Sequence, residues 1–319
     1  MEVRDDNEYE DLLGLWSDLE SGLGILLSSP ASSQEFERRV LQYDRWMQTL
    51  LERDTDTGLY LLFQLASHSS VGYSASHALV TAVLCHLIGA EMALAAQERD
   101  ALVRAALTMN IAMTSLQDQL AIQVERPDAR QAEAIRSHSA RGSDLLASLG
   151  IRDPLWLDTV ARHHQEPDSR DELRRLTPVL RLSLILQVVD RYAAMISPRR
   201  AREARSATDS LRSILNGRSP PGDEVGHQLV KAVGLCPPGT FVRLDSEEIA
   251  VVMRRSSQPN RPFVAIVLDA RGDRLNPPRL HRTAGGSPGI KSALSASAVQ
   301  ERLNHPLILQ LGAHAARHG

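Results

Sequence analysis

Apolar residues recur every three or four positions through the first fifty residues, which is the spacing of an amphipathic helix. The pattern is clearest over residues 8 to 28 and again over residues 34 to 53. A stretch rich in Ser and Pro separates the two segments, and Asp54 to Gly58 has the composition of a turn or a helix cap. The pattern therefore predicts a small N-terminal helical region over residues 1 to 56.

Helical spacing continues over residues 57 to 235, with short polar breaks and no convincing strand. The segment from Leu180 to Ile196 is almost continuously apolar, which is typical of a buried central helix. Aromatic residues make up only 4% of the chain, a composition that favours packed helices over a β-sandwich. We therefore predict an all-α fold class with a main helical domain over residues 57 to 235.

The pattern changes at Cys236, after which Pro-Pro-Gly-Thr leads into short runs rich in β-branched residues. Turn residues separate these runs, as they do in antiparallel sheets. We predict a small antiparallel β-element over residues 236 to 271. Residues 272 to 319 are rich in Pro, Gly, Ser, Arg and His, so we expect a flexible tail with one helix near Leu294 to Leu311.

The charge of the chain is nearly balanced, because 36 Lys and Arg face 39 Asp and Glu for a net charge of −3. A protein that binds a nucleic acid polymer electrostatically normally carries a basic excess, so that class is excluded. The run of Arg199, Arg200, Arg202 and Arg205 is interpreted as a solvated helix face or tail. Contact with a partner protein or with phosphates is the alternative interpretation.

Cys85 and Cys236 lie far apart and form no motif, so a reducing compartment is expected. The acidic N-terminal sequence lacks the apolar stretch of a signal peptide. No apolar run reaches the ~18 residues that cross a bilayer. We therefore expect a cytoplasmic protein that has no membrane partner.

The candidates for chemistry are four histidines and one carboxylate within the helical region. Helical proteins build metal sites by projecting such side chains inward from several helices. The candidates are His77, His138, His163, His164 and Asp190. A histidine taken alone is more often a packing or surface residue than a metal ligand, so the interpretation depends on the order and context of the four.

Asp190 is the most informative of these residues, because it follows the apolar run from Leu184 to Val189. Burying an unpaired carboxylate there would cost several kcal/mol. Asp190 therefore needs a metal ion, an Arg such as Arg191, or a path to water. His77 shares its helical face with Val80 and Leu84, which predicts that its side chain points toward the core.

The order of these segments is more specific than any one of them. The segments are the His77 helix, residues 104 to 113, His138 with Gly142, the His163–His164 pair, residues 188 to 198, and Pro237-Pro238-Gly239-Thr240. Over about residues 70 to 270 this order resembles the HD-GYP domain, a family of metal-dependent phosphodiesterases that open cyclic di-GMP. The resemblance implies an HD-superfamily helical bundle whose metal ligands fall at the five candidate residues.

The chain departs from that family at its central motif. The His-Asp dipeptide of the family is replaced by Met109 and Asn110, and its substrate-contacting Lys by Met113. The loop over residues 165 to 170 contains no Gly-Tyr-Pro, and Tyr73 stands where the family has a Glu. The resemblance therefore implies the fold of the family without its complete site.

The lost Asp matters because it would bridge two metal ions. Two divalent ions ~4 Å apart repel by roughly 16 kcal/mol at an effective dielectric constant of 20. A bridging carboxylate offsets part of this repulsion, whereas the amide of Asn110 has no charge. Met109 and Met113 are also expected to continue one apolar helical stripe with Leu102, Ala106 and Leu116. A complete two-metal centre is therefore not expected.

Three functions remain open at this point. The leading one is a degenerate HD-GYP-type module in cyclic di-nucleotide signalling, which binds the nucleotide or a partner protein and has impaired phosphodiesterase activity. The second is an active phosphohydrolase with one divalent ion (Zn, Mn or Fe) on His138, His163 and His164, and with Asp190 or His77 as base. The third is a scaffold that binds no metal.

Overall fold

The computed structural model describes residues 7–68, 72–165, 172–197, 200, 205–215, 220–258, 260–299 and 303–318. The helices found in these ranges are α1 (Asn7–Ser28), α2 (Phe36–Arg53), α3 (Thr55–His68), α4 (Tyr73–Glu91), α5 (Ala96–Thr108), α6 (Thr114–Ile122), α7 (Ala129–Ser148), α8 (Pro154–Arg162), α9 (Pro178–Ile196), α10 (Ala207–Leu215), α11 (Pro220–Val233) and α12 (His305–His318). The strands are β1 (Phe241–Leu244), β2 (Ile249–Arg254), β3 (Phe263–Leu268), β4 (Arg274–Arg282) and β5 (Ile290–Leu294). The predicted combination of a mostly helical chain and a small C-terminal antiparallel sheet is confirmed.

The N-terminal helices follow the periodicity of the sequence. Helices α1 and α2 match the two amphipathic segments, and Asp54 accepts a hydrogen bond from the backbone N–H of Thr57, at 3.0 Å, where α3 begins. One hydrophobic cluster joins Trp16 of α1 and Val40 of α2 to Val83 of α4. The N-terminal region therefore packs on the central helices, and its boundary at residue 56 stays a prediction.

The central helices α4 and α9 form the interior of the bundle. Helix α9 confirms the helix predicted over Leu180 to Ile196, and its apolar side chains are largely buried. Among the described residues, α4 is the helix that is long and apolar enough to cross a membrane. In its most apolar stretch of 18 residues, 78% is buried inside the fold. Such burial is typical of a core helix, although no helix of this length and apolar character was expected from the sequence.

The sheet is antiparallel throughout, with the strand order β4-β3-β2-β1-β5. One face packs on the helices through side chains such as Phe241 and Val251. The opposite face has its own small cluster, which includes Val242, Val252 and Val264. Residues of the strands alternate between these two faces, so the strands β1, β2 and β3 are buried on both faces.

The expectation of a flexible tail over residues 272 to 319 is wrong. Strands β4 and β5 form the two edges of the sheet, and α12 packs on it through Ile308 and Leu309, which are 1% and 3% exposed. Backbone hydrogen bonds to β3 and β1 hold the two edge strands, whatever the polarity of their side chains. The one helix expected near Leu294 to Leu311 begins at His305 instead.

Ion pairs of Arg254 and Arg255 with Asp54 and Asp56 join the sheet to the start of α3. The Nη1 atom of Arg254 lies 2.6 Å from Asp54 Oδ2, and Nε of Arg255 lies 2.5 Å from Asp56 Oδ1. All four side chains are at most about one-third exposed, with 34% for Arg255 as the highest value. The helical and β parts of the chain are therefore connected by charge as well as by apolar packing.

Candidate metal centre

Helices α7 and α8 bring three histidines together. Helix α8 starts at Pro154 because the Asp153 carboxylate accepts hydrogen bonds from the first backbone N–H groups, including that of Leu155 at 2.9 Å. It ends at Arg162, so His163 caps the helix and His164 follows directly. His138 lies in the middle of α7.

Close packing of α8 fixes the position of the pair of histidines. The indole Nε1–H of Trp156 donates to Thr108 Oγ1 at 2.9 Å, which ties α8 to the end of α5. Trp156 is fully buried, with 1% of its surface exposed. On α7, Gly142 is one turn beyond His138, and a Cβ atom there would lie 3.5 Å from the carbonyl oxygen of Met109. These contacts hold the ends of α5 and α8 against the His138 turn.

The three imidazoles form a compact cluster. One ligand nitrogen from each of His138, His163 and His164 lies within 4.8 Å of the other two. The Nε2 atoms of His138 and His163 are 3.3 Å apart. His138 and His163 are each 1% exposed, whereas His164 is exposed to solvent. The cluster therefore has two buried members and one solvent-facing member.

Backbone carbonyls determine which nitrogen of each buried imidazole carries the proton. His138 Nδ1 lies 2.5 Å from the carbonyl oxygen of Ile135, and His163 Nδ1 lies 2.7 Å from that of Val160. Carbonyl oxygens only accept, so both Nδ1 atoms must be the donors. In the neutral rings the two Nε2 atoms then present lone pairs to each other at 3.3 Å. A cation between them relieves that repulsion, and a carbonyl on the second nitrogen is the usual support for a metal-binding histidine.

The electrostatics keep these rings neutral. Burial lowers the pKa of His138, and burial followed by the charge of His164 lowers the pKa of His163 to about 3. Metal ions bind the neutral form of imidazole, so both rings are ready to act as ligands without losing a proton. The residues present therefore fit one divalent ion that accepts nitrogen ligands.

His77 and Asp190 form a second group beside the three histidines. His77 Nε2 lies 2.7 Å from Asp190 Oδ1, with His77 2% and Asp190 18% exposed. Burial acts to raise the pKa of Asp190, but the hydrogen bond from His77, followed by electrostatic attraction from the imidazoles of His77, His163 and His164, lowers it to about 2. Asp190 is therefore ionised and paired with His77, and the alternative partner Arg191 is exposed. The predicted inward direction of His77 is confirmed.

Met109, Asn110 and Met113 do not lie on one helix. Helix α5 ends at Thr108, a 3-10 turn covers Ile111–Met113, and α6 begins at Thr114, so the expected apolar stripe is wrong. Asn110 adopts φ −102° and ψ 13°, a conformation that ends the helical path. Met109 is 1% exposed within the core, whereas Met113 is only half-buried. Met109 is therefore part of the apolar core, and its correspondence to the His of the family stays a prediction.

Several predicted features lie outside the described residues, namely Arg199, Arg202 and the loop from residue 166 to residue 171. The carbonyls of Ile135 and Val160 were not predicted from the sequence as partners of the two buried histidines. Each of these residues precedes its histidine by three positions, so helical spacing was the feature of the sequence that could have indicated the two hydrogen bonds.

No protein-family model matches the chain. A curated cyclic di-GMP phosphodiesterase from Pseudomonas aeruginosa is 29% identical to it over 143 residues, which are 43% of this chain and 34% of that protein. The chain thus spans about a third of the length of the curated relative that it matches. This distant similarity agrees with the resemblance noted in the sequence.

Proposed function

We propose that this protein acts in cyclic di-nucleotide signalling as a binding module that holds one divalent ion on His138, His163 and His164. In this proposal the chain has impaired phosphodiesterase activity because the second metal position is lost. The observation that carries the proposal is the three-imidazole cluster, whose ligand nitrogens lie within 4.8 Å of one another. The distant similarity to a cyclic di-GMP phosphodiesterase supports the choice of ligand class.

The second half of the site supports a single ion. His77 and Asp190 are bonded to each other at 2.7 Å, and Met109 and Asn110 offer neither an imidazole nor a carboxylate. Without a bridging carboxylate, the repulsion between two divalent ions ~4 Å apart, of order 16 kcal/mol at a dielectric constant of 20, is not offset. We therefore assign the ion to the three histidines.

The chain's own residues account for binding and orientation. When bound, a divalent ion supplies a Lewis acid and a water of lowered pKa. The carbonyls of Ile135 and Val160 keep Nε2 of the two buried rings free of protons. Asp190 contributes a negative charge next to the histidines, and His77 holds its carboxylate in place. Three neutral imidazoles favour Zn²⁺, although Mn²⁺ and Fe²⁺ remain to be tested.

The first experiment is the metal content per chain, measured by elemental analysis after reconstitution with Zn²⁺, Mn²⁺ or Fe²⁺ under reducing conditions. We expect one ion per chain, lost in His163→Ala and retained in His227→Ala, a matched change at an exposed histidine of α11. Two ions per chain would contradict the argument from Asn110. No bound ion would leave the scaffold function.

The second experiment measures binding and turnover of cyclic di-GMP by calorimetry and by chromatography of the products. We expect binding with little or no hydrolysis. A second candidate, the one-metal phosphohydrolase, is favoured by the exposure of His164, which leaves one side of the cluster open to substrate. Hydrolysis that disappears in a His163→Ala, His164→Ala double variant would establish that candidate instead.

The third experiment restores the lost motif. If the missing bridge alone prevents a second ion from binding, Met109→His combined with Asn110→Asp should raise the metal content toward two ions per chain. The single variant Asn110→Ala, which supplies no ligand, is the control. No gain in the double variant would mean that His77 and Asp190 are not placed to share a metal ion.

A further inference from the structure

The first turn of α4, which directly precedes His77, is bonded to carboxylates from two other helices. Asp118 of α6 accepts hydrogen bonds from the backbone N–H of Ser74 at 2.7 Å and from its hydroxyl at 2.9 Å. Glu20 of α1 accepts a hydrogen bond from the Ser76 hydroxyl at 2.5 Å. We call Glu20, Ser74, Ser76 and Asp118 the first-turn clamp.

We propose that the first-turn clamp positions the His77 imidazole on Asp190, so that α1 and α6 control the geometry beside the metal centre. Glu20 and Asp118 are then positioning residues and do not touch a ligand. The inference rests on the proposed function for its significance, since Asp190 lies next to the three histidines. The His77–Asp190 bond itself exists without an ion, so the inference can be tested separately.

Asp118 supplies a cap that α4 does not provide for itself. The N-cap residue Gly72 has no side chain and has a φ of +141°. A Cβ atom on Gly72 would lie 3.2 Å from Asp118 Oδ1, so the carboxylate occupies the space next to the glycine. The N–H of Ser74, which has no partner within the helix, is bonded by α6 instead. A cap of this kind stabilises a helix end by about 1 kcal/mol.

Glu20 is the most deeply buried carboxylate of the clamp, at 1% exposure. Burial of a carboxylate is costly unless hydrogen bonds compensate for the lost water. The Ser76 hydroxyl has one proton and two acceptors within reach, which are Glu20 Oε1 at 2.5 Å and the Gly72 carbonyl at 3.0 Å. The shorter contact is to Glu20, so α1 attracts this hydroxyl more strongly than the helix that carries it.

The clamp acts on His77 because Ser74 and Ser76 lie within three residues of His77 at the start of α4. Ser76 precedes His77 in the chain, and the Tyr73 ring stacks on the imidazole with centroids 5.4 Å apart and an angle of 13° between the planes. His77 must meet Asp190 at 2.7 Å, and a hydrogen bond is lost by about 3.5 Å. A displacement of this turn by less than about 1 Å therefore breaks the pair.

The test is the tautomer of His77, observed by long-range ¹⁵N–¹H NMR on the metal-free full chain. Because a carboxylate only accepts, we expect a single Nε2–H tautomer in the unaltered protein. Ser76→Ala and Glu20→Ala should each remove this single signal, whereas Glu20→Gln, which keeps an acceptor oxygen, should retain it. Asp18→Ala changes an exposed carboxylate on the same helix and should have no effect.

Asp118 is tested in the same way by Ser74→Ala and Asp118→Ala, with Asp118→Asn as the conservative variant. Cooperative thermal unfolding confirms that each variant is folded before its spectrum is interpreted. If Glu20→Ala does not fold, Ser76→Ala decides, because it removes a single oxygen atom. Folded alanine variants that keep one Nε2–H tautomer would overturn the inference. Absence of bound metal in the earlier experiment would refute the one-ion proposal and leave the tautomer result unaffected.

Discussion

Replacing Gly239 by Ala tests how closely the segment that leads into the sheet packs against α3. Gly239 is buried, and its φ is +91°, where residues other than glycine are strained. A Cβ atom there would lie 2.6 Å from Phe63 Cβ and 2.7 Å from the Tyr60 carbonyl oxygen. Neither atom can rotate away, because one is backbone and the other is attached directly to backbone. Gly239 itself accepts a hydrogen bond from Gln64 at 2.6 Å, so it has little room to move.

The magnitude has two parts that a control variant can separate. A positive φ costs an alanine about 1–2 kcal/mol, and an overpacked core costs about 1–3 kcal/mol more. Gly272 has a φ of +90° with nothing within 4 Å of its would-be Cβ atom, so Gly272→Ala reports the backbone part alone. We therefore expect losses of about 2–5 kcal/mol for Gly239→Ala and about 1–2 kcal/mol for Gly272→Ala.

The assay is equilibrium urea unfolding of both variants, followed by circular dichroism and analysed by linear extrapolation with the slope compared between variants. A larger loss for Gly239→Ala at an unchanged slope would support the packing argument. Equal losses for the two variants would refute it, because the contacts with α3 would then add nothing to the backbone strain.

Three further changes test the site and its surroundings. Zn²⁺ at about 100 times its dissociation constant should raise the free energy of unfolding by about 2.7 kcal/mol. Thermal unfolding measures this gain, which should vanish in His163→Ala and persist in His227→Ala. Trp156→Phe removes the donor to Thr108 and should cost about 1–2 kcal/mol in urea unfolding, and an unchanged midpoint would contradict that contact. Burial lowers the pKa of His86 in the folded chain. Below the ordinary histidine pKa of about 6.5, the unfolded chain therefore binds this proton more readily, and the free energy of unfolding falls as the pH falls. Unfolding of the metal-free chain at pH 7.5 and pH 5 should therefore show a smaller loss in His86→Asn, and equal losses would contradict the shift.

The helices were predictable where periodicity was strong. The segments predicted over residues 8 to 28, residues 34 to 53 and Leu180 to Ile196 match α1, α2 and α9 closely, since each carries a clear apolar stripe or is apolar throughout. Strands β4 and β5 were missed because their order comes from pairing with neighbouring strands. Local composition, with Pro277 and Pro278 in β4, contains little sign of such pairing.

The cluster of three histidines was predictable from the sequence, whereas most contacts around it were not. The order of motifs identified His138, His163 and His164, which the fold brings together. The partner of Asp190 was left open among a metal ion, Arg191 and water, and it is His77, which is 113 residues away in the chain. Helix geometry argues against Arg191, because consecutive residues of a helix point in different directions. Glu20 and Asp118 were missed, because their contacts are long-range and no local pattern indicates them.

The contacts between α3 and the C-terminal elements also affect the order in which the protein can complete its fold. The hydroxyl of Tyr60 is hydrogen-bonded to His305 at 2.9 Å across 245 residues, and Asp54 pairs with Arg254 across 200. At about 5–20 residues per second, a ribosome needs on the order of 10–50 s to add the residues between Tyr60 and His305. During that interval the apolar side of α3 has no sheet or α12 to cover it. The nascent chain therefore exposes an apolar surface for tens of seconds. The yield of folded protein in a cell should depend on chaperones that bind such surfaces.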